Sequence, residues 1–226
     1  MRAGPFLFKT NTFTGTMFSS FNHDNFHHIC DQLAASDTDL ALIVNNYGYP
    51  PLWSRPNSFE SLVHIILEQQ VSLASALSAL NKLKAAIQEI TPGRVLLLTD
   101  EELKACYFSR QKTAYVRYLA EAILSGQINL EAFENQPDHE IRTRLTALKG
   151  IGNWTVDVYL MFVLHRADIL PIGDLAAVQS MKKVKQLPAS VSREEMILLA
   201  QQWQPYRTVA TMLLWHDYLS KRKTTA

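Results

Sequence analysis

Cysteine is scarce in this chain: of 226 residues only Cys30 and Cys106 carry thiols, and they stand far apart. Two thiols cannot build a four-thiolate iron–sulfur site, and no structural zinc spacing is present. Two free thiols in a reducing compartment are expected. Long apolar runs are missing too, since nothing approaches the ~20 residues of a spanning helix. Residues 1–20 are rich in Phe and Thr but lack a long apolar centre and a small-residue cleavage site. They do not read as a signal peptide. The expectation is a soluble cytoplasmic protein without a membrane partner. Excess charge is also absent: 22 basic against 21 acidic residues leave a net charge of +1. Composition therefore does not announce a nucleic-acid binder, although local patches and backbone amides can still hold phosphate. Period-two alternation is almost missing, which argues against sheet.

What is present is apolar residues at helical spacing. Hydrophobic residues make up 47% of the chain, enough for a real core. Asp37 reads as a helix cap, with Leu40, Ile43 and Val44 following on one side. A proline- and aromatic-rich loop then runs from Asn46 to Trp53. Phe59, Leu62, Val63 and Ile66 mark the next helix, with a kink or restart expected around Glu68 to Ser72. A long helix continues to about Glu89, where Thr91-Pro92-Gly93 is read as its stop. Thr99 followed by Glu102 reads as a capping box. Further helices are expected over 110–124, 137–148 and 153–165, after Asp174, after Ser192, and over 207–220. The fold class is therefore all-α, with about ten helices and short connections. Residues 1–20 are expected to form an irregular strap ahead of a helical domain over 21–226. His23, His27, His28 and Cys30 cluster near the first helix. With no second ligand pair nearby, a helix face is read there and no metal site is assigned.

The most informative stretch runs from Leu148 to Asp174. Gly150 and Gly152 flank Ile151 between two helical patterns. Glycines there permit a tight turn and close approach to another surface. Ile151 would pin the turn to the core. The turn's main-chain N–H groups and the next helix start could then meet phosphate oxygens. A Gly-x-Gly between helices is also a common plain helix stop. An apolar run follows, and then Pro171-Ile172-Gly173-Asp174 delivers one carboxylate at a helix start. By itself Asp174 also reads as an ordinary N-cap.

Taken together, Leu148-Lys149-Gly150-Ile151-Gly152-Asn153-Trp154-Thr155 and the later Gly173-Asp174 resemble the helix-hairpin-helix, Gly/Pro-rich, Asp (HhH-GPD) superfamily of DNA glycosylases. Glu68-Gln69-Gln70-Val71-Ser72 is similar to the Gln-Gln-x-Ser segment of its alkylpurine branch. Phe108-Ser109-Arg110-Gln111-Lys112 is similar to its Leu-Ser-x-x-Lys loop. Trp203-Gln204-Pro205-Tyr206-Arg207 and Leu214-Trp215 are similar to its C-terminal motifs. The motifs occur in the family's order over about residues 37–220. Within the superfamily the chain looks like the alkylbase glycosidases, in the compact form without an extra β domain.

The resemblance implies a fold with the active site in a cleft between two helical subdomains, here about 58–174 and 21–57 plus 175–226. It implies an enzyme that flips damaged bases out of double-stranded DNA and hydrolyses the N-glycosidic bond. Asp174 is then the catalytic carboxylate, stabilising positive charge at C1′ and orienting or deprotonating water. Trp154 and Trp215 occupy pocket positions, and Trp53 is a third candidate that could equally be core. Relatives that cut the strand carry Lys where this chain has Trp154, so a monofunctional enzyme is expected. Gln70 fits the position of the residue that fills the gap left by the flipped base, with Phe108 as the alternative. Helix-end capping is the plain reading of Gln69 and Gln70. Gly150, Ile151, Gly152, Thr155 and Lys112 are the expected DNA contacts. The run Lys182, Lys183, Lys185 could track the DNA backbone or form a solvated face.

No cofactor is implied beyond a monovalent cation on hairpin main-chain carbonyls. The enzyme is expected to be monomeric and to sit with the nucleoid, or in the nucleus of a eukaryote. Three departures stand out: Val158 where some relatives carry an aromatic, Tyr107 where Gly is usual, and Lys149 where Pro is common. Two other readings remain: a non-catalytic module that binds damaged DNA, and a sibling glycosylase for deaminated or oxidised bases.

Overall fold

The computed structural model describes residues 19–224, and the strap expected over 1–20 lies outside them except for Ser19 and Ser20. Among the described residues there are twelve α-helices, two 3-10 turns and no strand. The all-α expectation is met, with two more α-helices than the ten anticipated. The chain divides into two compact units, one of residues 1–53 and 165–226, the other of residues 54–164. Asp174 therefore lies in the first unit.

The described part of the first unit holds α1 (Phe26–Ser36), α2 (Thr38–Tyr47), α10 (Leu175–Val184), α11 (Arg193–Ala200) and α12 (Arg207–Thr224). Phe26, Ile29 and Leu33 repeat at helical spacing on α1 and are buried with Leu40, Ile43, Val209 and Leu213. Asp37 caps α2 as expected, its Oδ1 accepting from the Asp39 and Leu40 amides. It does more than cap. Oδ1 also accepts from Lys185 Nζ at 2.6 Å, and Oδ2 accepts from the Trp203 indole N–H at 2.7 Å. Lys185 further reaches Asp39 Oδ2 at 2.8 Å. The basic run is thus largely spent inside this unit, because Lys182 Nζ donates to the Ala189 carbonyl. Only Lys183 of the three is exposed.

The Trp-x-Pro-Tyr-Arg motif is also structural. Trp203 and Tyr206 are fully buried, the Gln204–Pro205 peptide is cis, and Arg207 forms a two-pronged pair with Asp168. Lys185→Met would leave the buried Asp37 carboxylate without its cation. Removing one partner of a buried pair is strongly destabilising, so a loss of about 3 kcal/mol is expected. Urea unfolding of the variant checks it.

The second unit holds α3 (Phe59–Glu68), α4 (Leu73–Ile87), α5 (Pro92–Leu97), α6 (Asp100–Ala105), α7 (Arg110–Leu124), α8 (Asp138–Thr146) and α9 (Asn153–Phe162). Residues Thr155 to Met161 of α9 are all buried, so this helix is enclosed on every face. That is why its sequence reads as a mostly apolar run, broken by Asp157. α3 packs against α4, α7 and α9, and α8 packs against α9. The break between α3 and α4 falls where expected, with Ser72 capping α4. Thr91-Pro92-Gly93 does not only stop a helix. Thr91 caps α5, and Pro92 occupies its first turn, where a missing N–H costs nothing. The capping box at Thr99 and Glu102 is present.

Candidate active site

Three expected residues come together in the first unit. Asp174 caps α10, its Oδ1 accepting from the Ala177 amide at 2.8 Å. The same oxygen accepts from the Trp215 indole N–H at 3.1 Å. Trp215, on α12, meets Trp53 edge to face, with ring centroids 6.3 Å apart at 78°. All three side chains are half-buried. Trp53 is therefore neither isolated nor core, and stands as part of an aromatic pair beside the carboxylate. The plain N-cap reading of Asp174 is true of its geometry, yet it leaves the indole bond unexplained. A cap needs one acceptor, whereas here the carboxylate is also steered by Trp215.

The hairpin lies in the second unit, between α8 and α9. Ile151 is buried at 4% exposure and pins the turn, its amide donating to the Leu148 carbonyl. Gly150 sits at φ +96, and a Cβ there would fall 2.0 Å from Cγ of Tyr115. Its glycine is required by both backbone and neighbour. Gly152 is exposed, and a Cβ on it would meet only open space. Gly152 occupies the N-cap of α9, and no side chain caps that helix. The positive end of α9 is thus presented to solvent by a residue that lets another surface approach closely. Arg142 of α8 braces this helix start, reaching Asn153 Oδ1 at 3.1 Å and Asp157 Oδ1 at 2.6 Å. Burial pushes the Asp157 carboxyl up from the usual range, and Arg142 pulls it back.

Two expected phosphate contacts are corrected. Thr155 is 1% exposed, and its hydroxyl accepts from Gln69 Nε2 at 2.9 Å. It supports the hairpin from within and offers nothing to solvent. Lys112 Nζ donates to the Leu67 carbonyl at the end of α3, and partial burial lowers its pKa. It is a brace between α7 and α3. Trp154 is half-buried on the first turn of α9.

Gln70 is exposed at φ +58, between α3 and α4. Phe108, the alternative gap-filler, is 4% exposed and belongs to the core. Its neighbour Tyr107 is 60% exposed at φ +67, with Lys82 Nζ 4.5 Å from its ring centre. A positive φ is the reason glycine suits this position. Val71 and Leu73 are exposed beside Gln70, so this end of the unit carries apolar surface. Val158 is buried inside α9. Cys30 and Cys106 are free and buried, and burial lifts the Cys30 thiol to about 12. Of the clustered histidines, His27 stacks on Tyr49 at 4.2 Å.

Sequence reading missed Tyr115 and Arg142 and undervalued Gln69. Gln69 lay inside a quoted motif, but only its neighbour received a role.

An uncapped helix start behind a glycine turn, with a carboxylate at a later helix start, fits the helix-hairpin-helix resemblance of the sequence. The profile of the "HhH-GPD superfamily base excision DNA repair protein" matches residues 63–205, and the chain belongs to this family. It is 31% identical over 180 residues to DNA-3-methyladenine glycosylase 1 of Schizosaccharomyces pombe, covering 78% of this chain and 79% of that one. Among solved structures it resembles an S. pombe 3-methyladenine DNA glycosylase in complex with abasic DNA. That likeness has a TM-score of 0.75 and 29% identity, covering 83% of this chain and 95% of the other. A Bacillus halodurans DNA-3-methyladenine glycosidase superposes with a TM-score of 0.71 at 28% identity, covering 84% and 89%.

Proposed function

We propose that this protein is a monofunctional DNA glycosylase that excises alkylated purines, of the 3-methyladenine and 7-methylguanine type, from duplex DNA. The observation that carries the reading is the Asp174 carboxylate held by Trp215 beside Trp53, in a chain of the HhH-GPD family. The relatives named as 3-methyladenine glycosylases support the substrate class.

The chemistry follows from charge. An N-alkylated purine is cationic, so it leaves with the electron pair of the C1′–N9 or equivalent bond and becomes neutral. It needs little general-acid help, and a site with one carboxylate suffices. Positive charge develops at C1′ as the bond breaks, and Asp174 stabilises it. Water then adds its oxygen to C1′ and gives up a proton to the Asp174 carboxylate, leaving an abasic site. A cationic base stacks on electron-rich indoles at ~0.5–2 kcal/mol per contact, the role given to Trp215 and Trp53. With Trp154 in place of an amine nucleophile, no Schiff base forms and the strand stays intact.

DNA is gripped by the α9 amides behind Gly152, and Gln70 enters the space vacated by the flipped base. The Leu148 and Gly150 carbonyls each accept one hydrogen bond and keep a second lone pair. A monovalent cation on hairpin carbonyls fits this donor set and would add only local positive charge.

A base-release screen over methylated, deaminated and oxidised duplexes tests the reading. Release of 3-methyladenine and 7-methylguanine without strand cutting is expected, and borohydride should trap no DNA adduct. Binding without release would make the protein a damage-binding module. Preferred release of uracil, hypoxanthine or 8-oxoguanine would move it to a sibling substrate class.

A further inference from the structure

Three consecutive residues at the end of α3 are pinned from three directions. The Leu67 carbonyl accepts from Lys112 Nζ at 2.5 Å. The buried Glu68 carboxylate takes both Arg55 Nη groups at 2.6 and 3.0 Å. Gln69 Nε2 donates to the Gly150 carbonyl and to Thr155 Oγ1, each at 2.9 Å. The next residue is Gln70, exposed and at positive φ. Side-chain-bearing residues persist in that conformation only where their surroundings over-determine them.

Gln69 differs from the other two braces. Its amide leaves its own helix end and crosses to the hairpin, so helix-end capping does not describe it. The Gly150 carbonyl can only accept, which orients the amide with its nitrogen inward. Both N–H groups are used, and Thr155 is too buried for water to replace the donor. Losing that donor would leave a buried acceptor unsatisfied, a larger cost than an average hydrogen bond.

We propose that Gln69 is a positioning residue that makes the phosphate-gripping hairpin and the gap-filling turn one rigid piece. Engagement of Gly150–Gly152 by a DNA backbone then fixes where Gln70 enters the duplex. This rests on the proposed role of Gln70 as gap-filler. Flexibility between grip and plug would let the protein hold DNA without ejecting a base. The Gln69 bridge removes that freedom before DNA arrives.

The test uses a duplex with a tetrahydrofuran abasic analogue beside 2-aminopurine, whose fluorescence reports filling of the gap. Gln69→Leu and Thr155→Val are each compared with the wild type, alone and combined with Gln70→Ala. Each single variant is expected to lose about tenfold in affinity for the abasic duplex, with little change on undamaged duplex. The fluorescence change should shrink in parallel. In the Gln70→Ala background the further loss should fall below about twofold, because residues acting through one another are non-additive. Equal losses on both duplexes, or an undiminished loss in the Gln70→Ala background, would reduce Gln69 to a general stabiliser. Should Gln69→Leu fold poorly, the near-isosteric Thr155→Val removes the Thr155 half of the bridge from the other side. The readout needs no chemistry. A wild type that releases no base strikes the proposed glycosylase activity, and the abasic duplex still decides the role of Gln69.

Discussion

Asp174→Asn is expected to lower the single-turnover rate of base release by about a thousandfold and leave the fold intact. The geometry makes this substitution unusually clean. Asp174 has a structural duty, because its Oδ1 accepts from the Ala177 amide at the start of α10. Asparagine caps a helix as well as aspartate does, and its carbonyl oxygen can take the same bond. It can also take the Trp215 indole N–H, so the steering contact survives. What disappears is the negative charge that the proposed mechanism sets against the developing cation at C1′. Asp174→Ala, by contrast, removes cap and indole acceptor together and should cost about 1 kcal/mol of stability besides activity. Release of 7-methylguanine, measured with urea unfolding on the same samples, separates the two effects. Near-wild-type release by Asp174→Asn would take the carboxylate out of the mechanism.

Gly150→Ala should be the most damaging small change in the hairpin. Two costs add there. A Cβ at φ +96 is strained by about 1–3 kcal/mol. The same Cβ would overlap the Tyr115 ring, so the ring or the turn must move, at about 1–3 kcal/mol more. A total near 4 kcal/mol is expected, with DNA affinity lost because the α9 amides shift with the turn. Gly152→Ala makes the contrast. Its φ of −100 is open to any residue and its Cβ meets nothing, so stability should change by less than about 0.5 kcal/mol. DNA affinity should still drop, since the methyl group stands where a phosphate would approach. Thermal unfolding and duplex binding of both variants, at fixed salt, check the pair. Equal stability of the two would mean that Tyr115 does not press on Gly150.

Much of the fold was legible because helix periodicity and capping are local. The Thr99–Glu102 capping box, the Asp37 and Ser192 caps and α7 from Arg110 to Leu124 follow from neighbouring residues alone. The misreading at Thr91-Pro92-Gly93 was local as well. A threonine before a proline both ends one helix and begins another, and only backbone direction tells which. Side-chain destinations were far less legible. Phe108 and Tyr107 are adjacent aromatics, yet one is core and the other exposed, decided by how the turn packs. Lys183 and Lys185 belong to one basic run, yet Lys185 turns inward to Asp37, far away in sequence.

The sequence by itself determined the helical class, the caps, the glycine turn and the single carboxylate at Asp174, because each depends on a few neighbouring residues. Tertiary structure alone decided which residues of those motifs face solvent and which brace the frame. Thr155 and Lys112 became internal ties, Gln69 a bridge to the hairpin, and Trp53 a partner of Trp215. The physical reason is that hydrogen-bond and ring partners many residues apart exist only once the chain has packed. Even the two hairpin glycines, alike in the sequence, are told apart only by the fold: Gly150 has a positive φ and faces the ring of Tyr115, and Gly152 has neither constraint.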